Sequence, residues 1–200
     1  AGIPSTLNSY FSGGLKSGAA KVSTVIHGNQ AIQPGSFIQN LINNGNAGGY
    51  FRPLAVHEVY RAPLNLHITP TLASAIQWAR VDTNQSPPWR DGPGFNAWIR
   101  QLIQTNVVYL MASTFSDHML PYFTPSFVAD NDALARQFLK EIYGVTITSN
   151  HVFWTPERLA DDDVLNKVRN VLGYRATVLD QMEHAFTWFG RSAALGDDGY

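Results

Sequence analysis

Val152-Phe153-Trp154-Thr155-Pro156-Glu157 is the stretch on which the reading of this chain turns. Its first half is a short apolar run of the kind that forms a buried strand. Its second half breaks that run with proline and delivers a carboxylate beside an indole ring. Helical periodicity resumes a few residues later, with Val164, Leu165, Val168, Val171 and Leu172 on one face. A strand that ends in an acid and leads into a helix is a βα unit with a functional group at its carboxyl end. Carboxylates near apolar surroundings are costly unless paired or put to use, so Glu157 asks for an explanation.

The same rhythm extends in both directions. Downstream, Gly173 stops the helix and Arg175–Asp180 reads as the next strand. Upstream, Asp130 or Asn131 is expected to cap a helix with Leu134, Phe138 and Ile142 on its buried face, ended by Gly144. Before it lie an aromatic, proline-bearing loop over 113–129, an apolar strand Asn106–Ala112, a helix over 95–104 and an irregular loop over 82–94. Leu64–Ile68 alternates like a strand, and Thr69 or Thr71 then caps a helix running to Trp78. Tyr50–Tyr60 has helical spacing. Residues 28–49 are loop, with one helical turn expected around Phe37–Ile42. Lys21–His27 is a β-branched strand ending on a histidine, and residues 1–20 form a Gly- and Ser-rich leader segment.

Strands near residues 22, 65, 107, 152 and 176, separated by helices, give parallel βα repeats with right-handed crossovers. The fold class is α/β, and the repeats are read as part of a barrel. In such an arrangement His27, Thr69, Ser113, Glu157 and Asp180 gather on the carboxyl rim. Five units fall short of closure. The expectation is therefore a single barrel-type domain over 1–200, incomplete at its C-terminal end, either processed or a piece of a larger polypeptide.

Composition narrows the function. The chain has 200 residues, 44% of them hydrophobic, enough for one sizeable core. Charged residues are only 14% and the net charge is −1, without a basic run, which argues against a nucleic-acid surface. No apolar stretch reaches the roughly 18 residues of a membrane-spanning helix. Polarity comes from Asn, Gln, Ser and Thr, which slightly favours an extracellular or envelope location over a cytoplasmic one. There is no cysteine, so disulfides and thiolate metal sites are excluded.

The candidate chemistries then separate. Of the six histidines, His27, His118, His151 and His184, together with Asp180, can converge on the rim. Only Asp180 and His184 have the short spacing common among metal ligands, and most isolated histidines are hydrogen-bonded structural residues. His57 and His67 read as structural, and neither a metal nor a cofactor is expected. No G-x-S-x-G elbow or phosphate-binding glycine loop is present. The acid pair Glu157 and Asp180 remains, twenty-three residues apart at the ends of consecutive strands. Neighbouring strands lie roughly 5 Å apart, so the two can share a pocket. The competing assignment, equally weighted on spacing, is that Glu157 caps the next helix or pairs with Arg158 or Arg175. Trp89, Phe115, Tyr122, Trp154, Trp188 and Phe189 are each commonest as core residues. Together with the acids and an amide-rich loop, their flat faces favour a carbohydrate partner.

These residues resemble glycoside hydrolase family 57, retaining enzymes that act mainly on α-glucans. Trp154-Thr155-Pro156-Glu157, the following helix, Leu172-Gly173-Tyr174 and the strand to Asp180 are similar to that family's nucleophile region. His27-Gly28-Asn29-Gln30 resembles its first-strand motif, Leu64–Leu72 its second strand, and Ser116–Pro121 the stretch after its third. The resemblance covers residues 21–190. It departs at Asn29 and Ala31 in the first motif and at the apolar Tyr109-Leu110-Met111, and no residue before Tyr200 matches the family's acid/base aspartate.

The resemblance implies part of an incomplete (β/α)7 barrel and a retaining glycoside hydrolase or glucanotransferase with Glu157 as nucleophile. It further implies that His27, Gln30, His118, Trp154, Asp180 and His184 bind substrate, with the acid/base downstream of the chain. The alternatives are a metal-dependent polysaccharide deacetylase of a related barrel type and a non-catalytic carbohydrate-binding relative.

Overall fold

The computed structural model describes residues 23–29, 42, 49–79 and 91–179. Gln30, Asp180 and His184 lie outside them, as do the leader segment, Trp89, Trp188 and Phe189, and all of the expected turn near 37–42 except Ile42.

Five strands are present among these residues: β1 (Thr24–Gly28), β2 (Leu64–Ile68), β3 (Val108–Leu110), β4 (Val152–Phe153) and β5 (Ala176–Thr177). β1, β2 and β3 form one parallel sheet in that order, and β4 pairs in parallel with β5. A parallel bridge between Ala112 and Phe153 joins the two, with Ala112 N–H donating to Val152 O at 2.8 Å and Trp154 N–H to Ala112 O at 2.9 Å. The strands thus follow one another in chain order without a reversal. All carboxyl ends share one rim, the side on which singly wound α/β folds place their sites.

Helix α1 (Phe51–Tyr60) precedes β2, and α2 (Pro70–Trp78) follows it. α3 (Gly92–Gln104) leads into β3, and α4 (Pro125–Tyr143) into β4. α5 (Asp162–Asn166) continues into a wide π-type turn at Lys167–Val171 and connects β4 to β5. Phe95, Trp98, Ile99 and Leu102 recur at helical spacing on the buried stripe of α3. Each contributes roughly 1.5–3 kcal/mol of burial, which fixes α3 against the sheet.

Two helix starts differ from the sequence expectation for one reason. α3 begins at Gly92 rather than 95, because the Asp91 side chain accepts from Gly94 N–H at 2.8 Å and Pro93 sits in the first turn. α4 begins at Pro125, with Thr124 rather than Asp130 or Asn131 as its cap. Proline needs no donor in a first turn, so a loop signal there marks a helix start. The buried face of α4 is accordingly Val128, Asp132, Ala135, Leu139 and Tyr143, while Leu134 is exposed.

Asp132 anchors this layer. It accepts from Arg136 Nε and from the Tyr174 hydroxyl, both at 2.6 Å. Arg136 also donates to Ile147 O and Leu172 O, each at 3.1 Å. Burial pushes the Asp132 carboxyl up, against the pull of its hydrogen bonds to Tyr174 and Arg136. One satisfied polar network therefore ties α4 to the segments entering β4 and β5, and so positions the strand that presents Glu157.

Candidate active site

β1 and β2 run parallel in a register that sets His27 beside His67. Residues paired in register project to the same face, and the two Nδ1 atoms approach to 2.7 Å. Trp154, just past β4, completes a stack with both. Its ring centroid lies 4.4 Å from that of His27 and 5.2 Å from that of His67, each inclined by 20°. His67 is wholly buried, whereas His27 is on the open side.

Asp117, in the connection after β3, lies close to His67. Its backbone has φ 53°, in the left-handed region that aspartate tolerates better than most residues. Its Oδ1 is 3.9 Å from His67 Nε2, too long for a hydrogen bond. His67 Nε2 and both Asp117 oxygens are buried and find no hydrogen-bond partner among the described residues.

Electrostatics follow burial. It is the main cause that lowers His67 well below the usual imidazole range, with His27 adding to it. It also lowers His27, where Glu157 opposes the shift and Arg158 reinforces it. Burial, helped by Glu157, pushes the Asp117 carboxyl up to about 7. With His67 held neutral, its approach to Asp117 is not an ion pair.

Glu157 is exposed at the centre of the turn Pro156–Arg158 that follows β4. It accepts from Asn29 Nδ2 at 3.3 Å, which links the fourth strand end to the first. Its backbone has φ 51° and that of Arg158 φ 54°. Two successive side-chain-bearing residues in this region cost of order 1–3 kcal/mol each and persist only where their surroundings hold them. Thr155 supplies part of that hold: it is buried and shares a 2.7 Å hydroxyl contact with Thr177 on β5.

Of the residues that sequence reasoning singles out, the structure brings His27, Trp154 and Glu157 to one place. His118 has a different setting, edge-on to Phe123 and Phe127, and burial lowers it as well. His151 bonds locally, its Nδ1 accepting from Thr148 N–H at 3.0 Å. His57 Nδ1 lies 2.9 Å from Ala62 O and serves the end of α1. Phe115 packs edge-on to Phe138, and Tyr122 is exposed. His67 and Asp117 are the residues that sequence reasoning misses. His67 carries a usable signal, being the penultimate residue of its strand as His27 is of β1. Asp117 sits in an irregular connection, where only its place in the Ser116–Pro121 stretch points to it.

No protein-family model matches the chain, and no curated protein sequence matches it. Among solved structures, it is similar to the crystal structure of the 4-alpha-glucanotransferase from Thermococcus litoralis. The TM-score is 0.61 at 15% identity, over 79% of this chain and 22% of that one. The likeness is one of fold: a mixed α/β arrangement of short parallel strands and helices, shared with a glucan-active enzyme. The chain spans about a fifth of that enzyme's length.

Proposed function

We propose that this chain is part of an incomplete (β/α)7 barrel of a retaining glycoside hydrolase or glucanotransferase that acts on α-glucan-like polysaccharides. Glu157 is its nucleophile. The observation that carries this reading is the placement of Glu157: an exposed carboxylate on a strained strand-end turn, bonded to Asn29 and beside the Trp154–His27 stack. The fold likeness to a glucanotransferase supports it.

In this mechanism the Glu157 carboxylate attacks the anomeric carbon. The glycosidic C–O bond breaks as an ester bond to Glu157 forms, giving a covalent glycosyl-enzyme. A second acid protonates the leaving oxygen and then, as a base, activates the water or sugar hydroxyl that releases the glycosyl group. The family resemblance puts that acid downstream of Tyr200. Asn29 and the left-handed backbone fix the direction of attack, Trp154 offers a flat face to the sugar, and His27 offers a ring nitrogen to a sugar hydroxyl. Gln30, His118, Asp180 and His184 are proposed to bind substrate as well.

The test is hydrolysis of an activated α-glucoside, and transfer between malto-oligosaccharides, by the full-length gene product. Glu157→Gln is expected to lower kcat at least about 10³-fold, because the amide cannot form the ester. Unchanged turnover in this variant contradicts the assignment. So does acetate release from acetylated amino-sugar polymers without any action on glucans.

A further inference from the structure

His67 and Asp117 have no part in the glycosidase chemistry, and with His27 they form a cluster of ligand-type side chains. One ligand-type atom from each lies within 4.8 Å of the others; His27 and His67 come from the carboxyl ends of β1 and β2, and Asp117 from the connection after β3. Two of the three residues are buried, and the buried atoms concerned, His67 Nε2 and both Asp117 oxygens, lack partners among the described residues. Buried polar atoms are nearly always satisfied, and the exceptions ask for an ion or another missing partner. The 3.9 Å gap between His67 Nε2 and Asp117 Oδ1 is too wide for a hydrogen bond. Two ligands on a small ion at about 2.0–2.1 Å stand roughly 3–3.4 Å apart, so the gap needs to close by only about half an ångström or somewhat more. His27, on the exposed side, completes the set, its Nδ1 standing 2.7 Å from that of His67.

We infer that His27, His67 and Asp117 form a three-ligand site for a divalent transition-metal ion of the zinc type, on the rim beside Glu157. The donor chemistry selects this class. Two imidazoles and one carboxylate suit zinc and its neighbours, whereas calcium and magnesium prefer all-oxygen sets. Three protein ligands leave a position open for water or a substrate hydroxyl, the pattern of working rather than purely structural metal sites. Trp154 stacks on the faces of both imidazoles, so the indole does not cover their in-plane nitrogens. The site departs from the sequence expectation of no metal because the register pairing of His27 with His67 is a property of the sheet. It stands independently of the reaction at Glu157, since binding is read without activity.

The experiment is calorimetric titration of the chelator-stripped full-length protein with zinc chloride, repeated with cobalt chloride and visible absorption. X-ray absorption is then recorded on the zinc form. One equivalent of zinc should bind, with two imidazoles and at least one oxygen at about 2.0–2.1 Å. His27→Ala and Asp117→Asn should each weaken binding at least tenfold, while His151→Ala, remote in its bonding, leaves it unchanged. His27 is exposed, so its variant keeps the fold even if substitution of buried Asp117 does not. The inference is overturned if zinc does not bind at millimolar concentration. Binding that is indifferent to His27→Ala, or a metal shell with fewer than two imidazoles, overturns it equally.

Discussion

Glu157 is held where an ordinary L-residue would rather not be. With φ 51° and ψ 17° it occupies the left-handed region, and Arg158 follows it there. Glycine adopts that conformation without the Cβ penalty, so Glu157→Gly should relieve strain even as it removes the carboxylate. The substitution also removes the hydrogen bond from Asn29, but at 3.3 Å and exposed to solvent that bond offsets little of the gain. The expected outcome is a gain of about 1 kcal/mol, or roughly 2–4 °C in Tm for a chain of this size, measured by calorimetry. A fall in Tm would mean that the turn is not strained and that Glu157 is a structural residue. A gain paired with abolished activity is the mark of a residue kept for function.

At the level of elements, the site is only as precise as the helices behind it. α2 and α3 pack through Gly92, where an added Cβ would come within 1.4 Å of Ile76 O and 3.0 Å of Ala79 O. Gly92 N–H also donates to Ala79 O at 2.9 Å, so the two backbones are in direct contact. Backbone cannot yield as a flexible side chain does. Gly92→Ala should destabilise the protein by about 1–3 kcal/mol in denaturant unfolding, and a neutral result would contradict this close approach.

The elements also explain which features the sequence makes legible. All five strands are legible, because β-branched and apolar runs between breakers leave few alternatives. The helix starts at Gly92 and Pro125 are not, because proline and glycine signal a loop and a first turn alike. The buried face of α4 falls on Ala135 and its neighbours rather than on Leu134 for a related reason. An earlier start and the demand for Asp132 at the network with Tyr174 together set its rotation. The placement of Glu157, Trp154 and His27 together at strand ends is legible. Asp117 is not, since its approach to His67 depends on a non-repetitive connection whose course no periodicity encodes.

At the scale of the whole molecule, five parallel strands in chain order gather one face of chemistry along a single rim, joined through the Ala112–Phe153 bridge. The fold is shared with part of a much longer glucan-active enzyme. No helix among the described residues is long and apolar enough to cross a membrane, and a carbohydrate partner is compatible with this architecture. The proposal that unites these observations is covalent catalysis by Glu157, and covalency can be observed directly. The full-length protein should be incubated with a fluorinated α-glucosyl fluoride that slows release of the glycosyl group, then digested and analysed by peptide mass spectrometry. The account predicts one fluoroglycosyl adduct, esterified to Glu157 in the peptide carrying Trp154, and none in Glu157→Gln. An adduct on a different carboxylate, or turnover of the fluoride without any adduct, would contradict it.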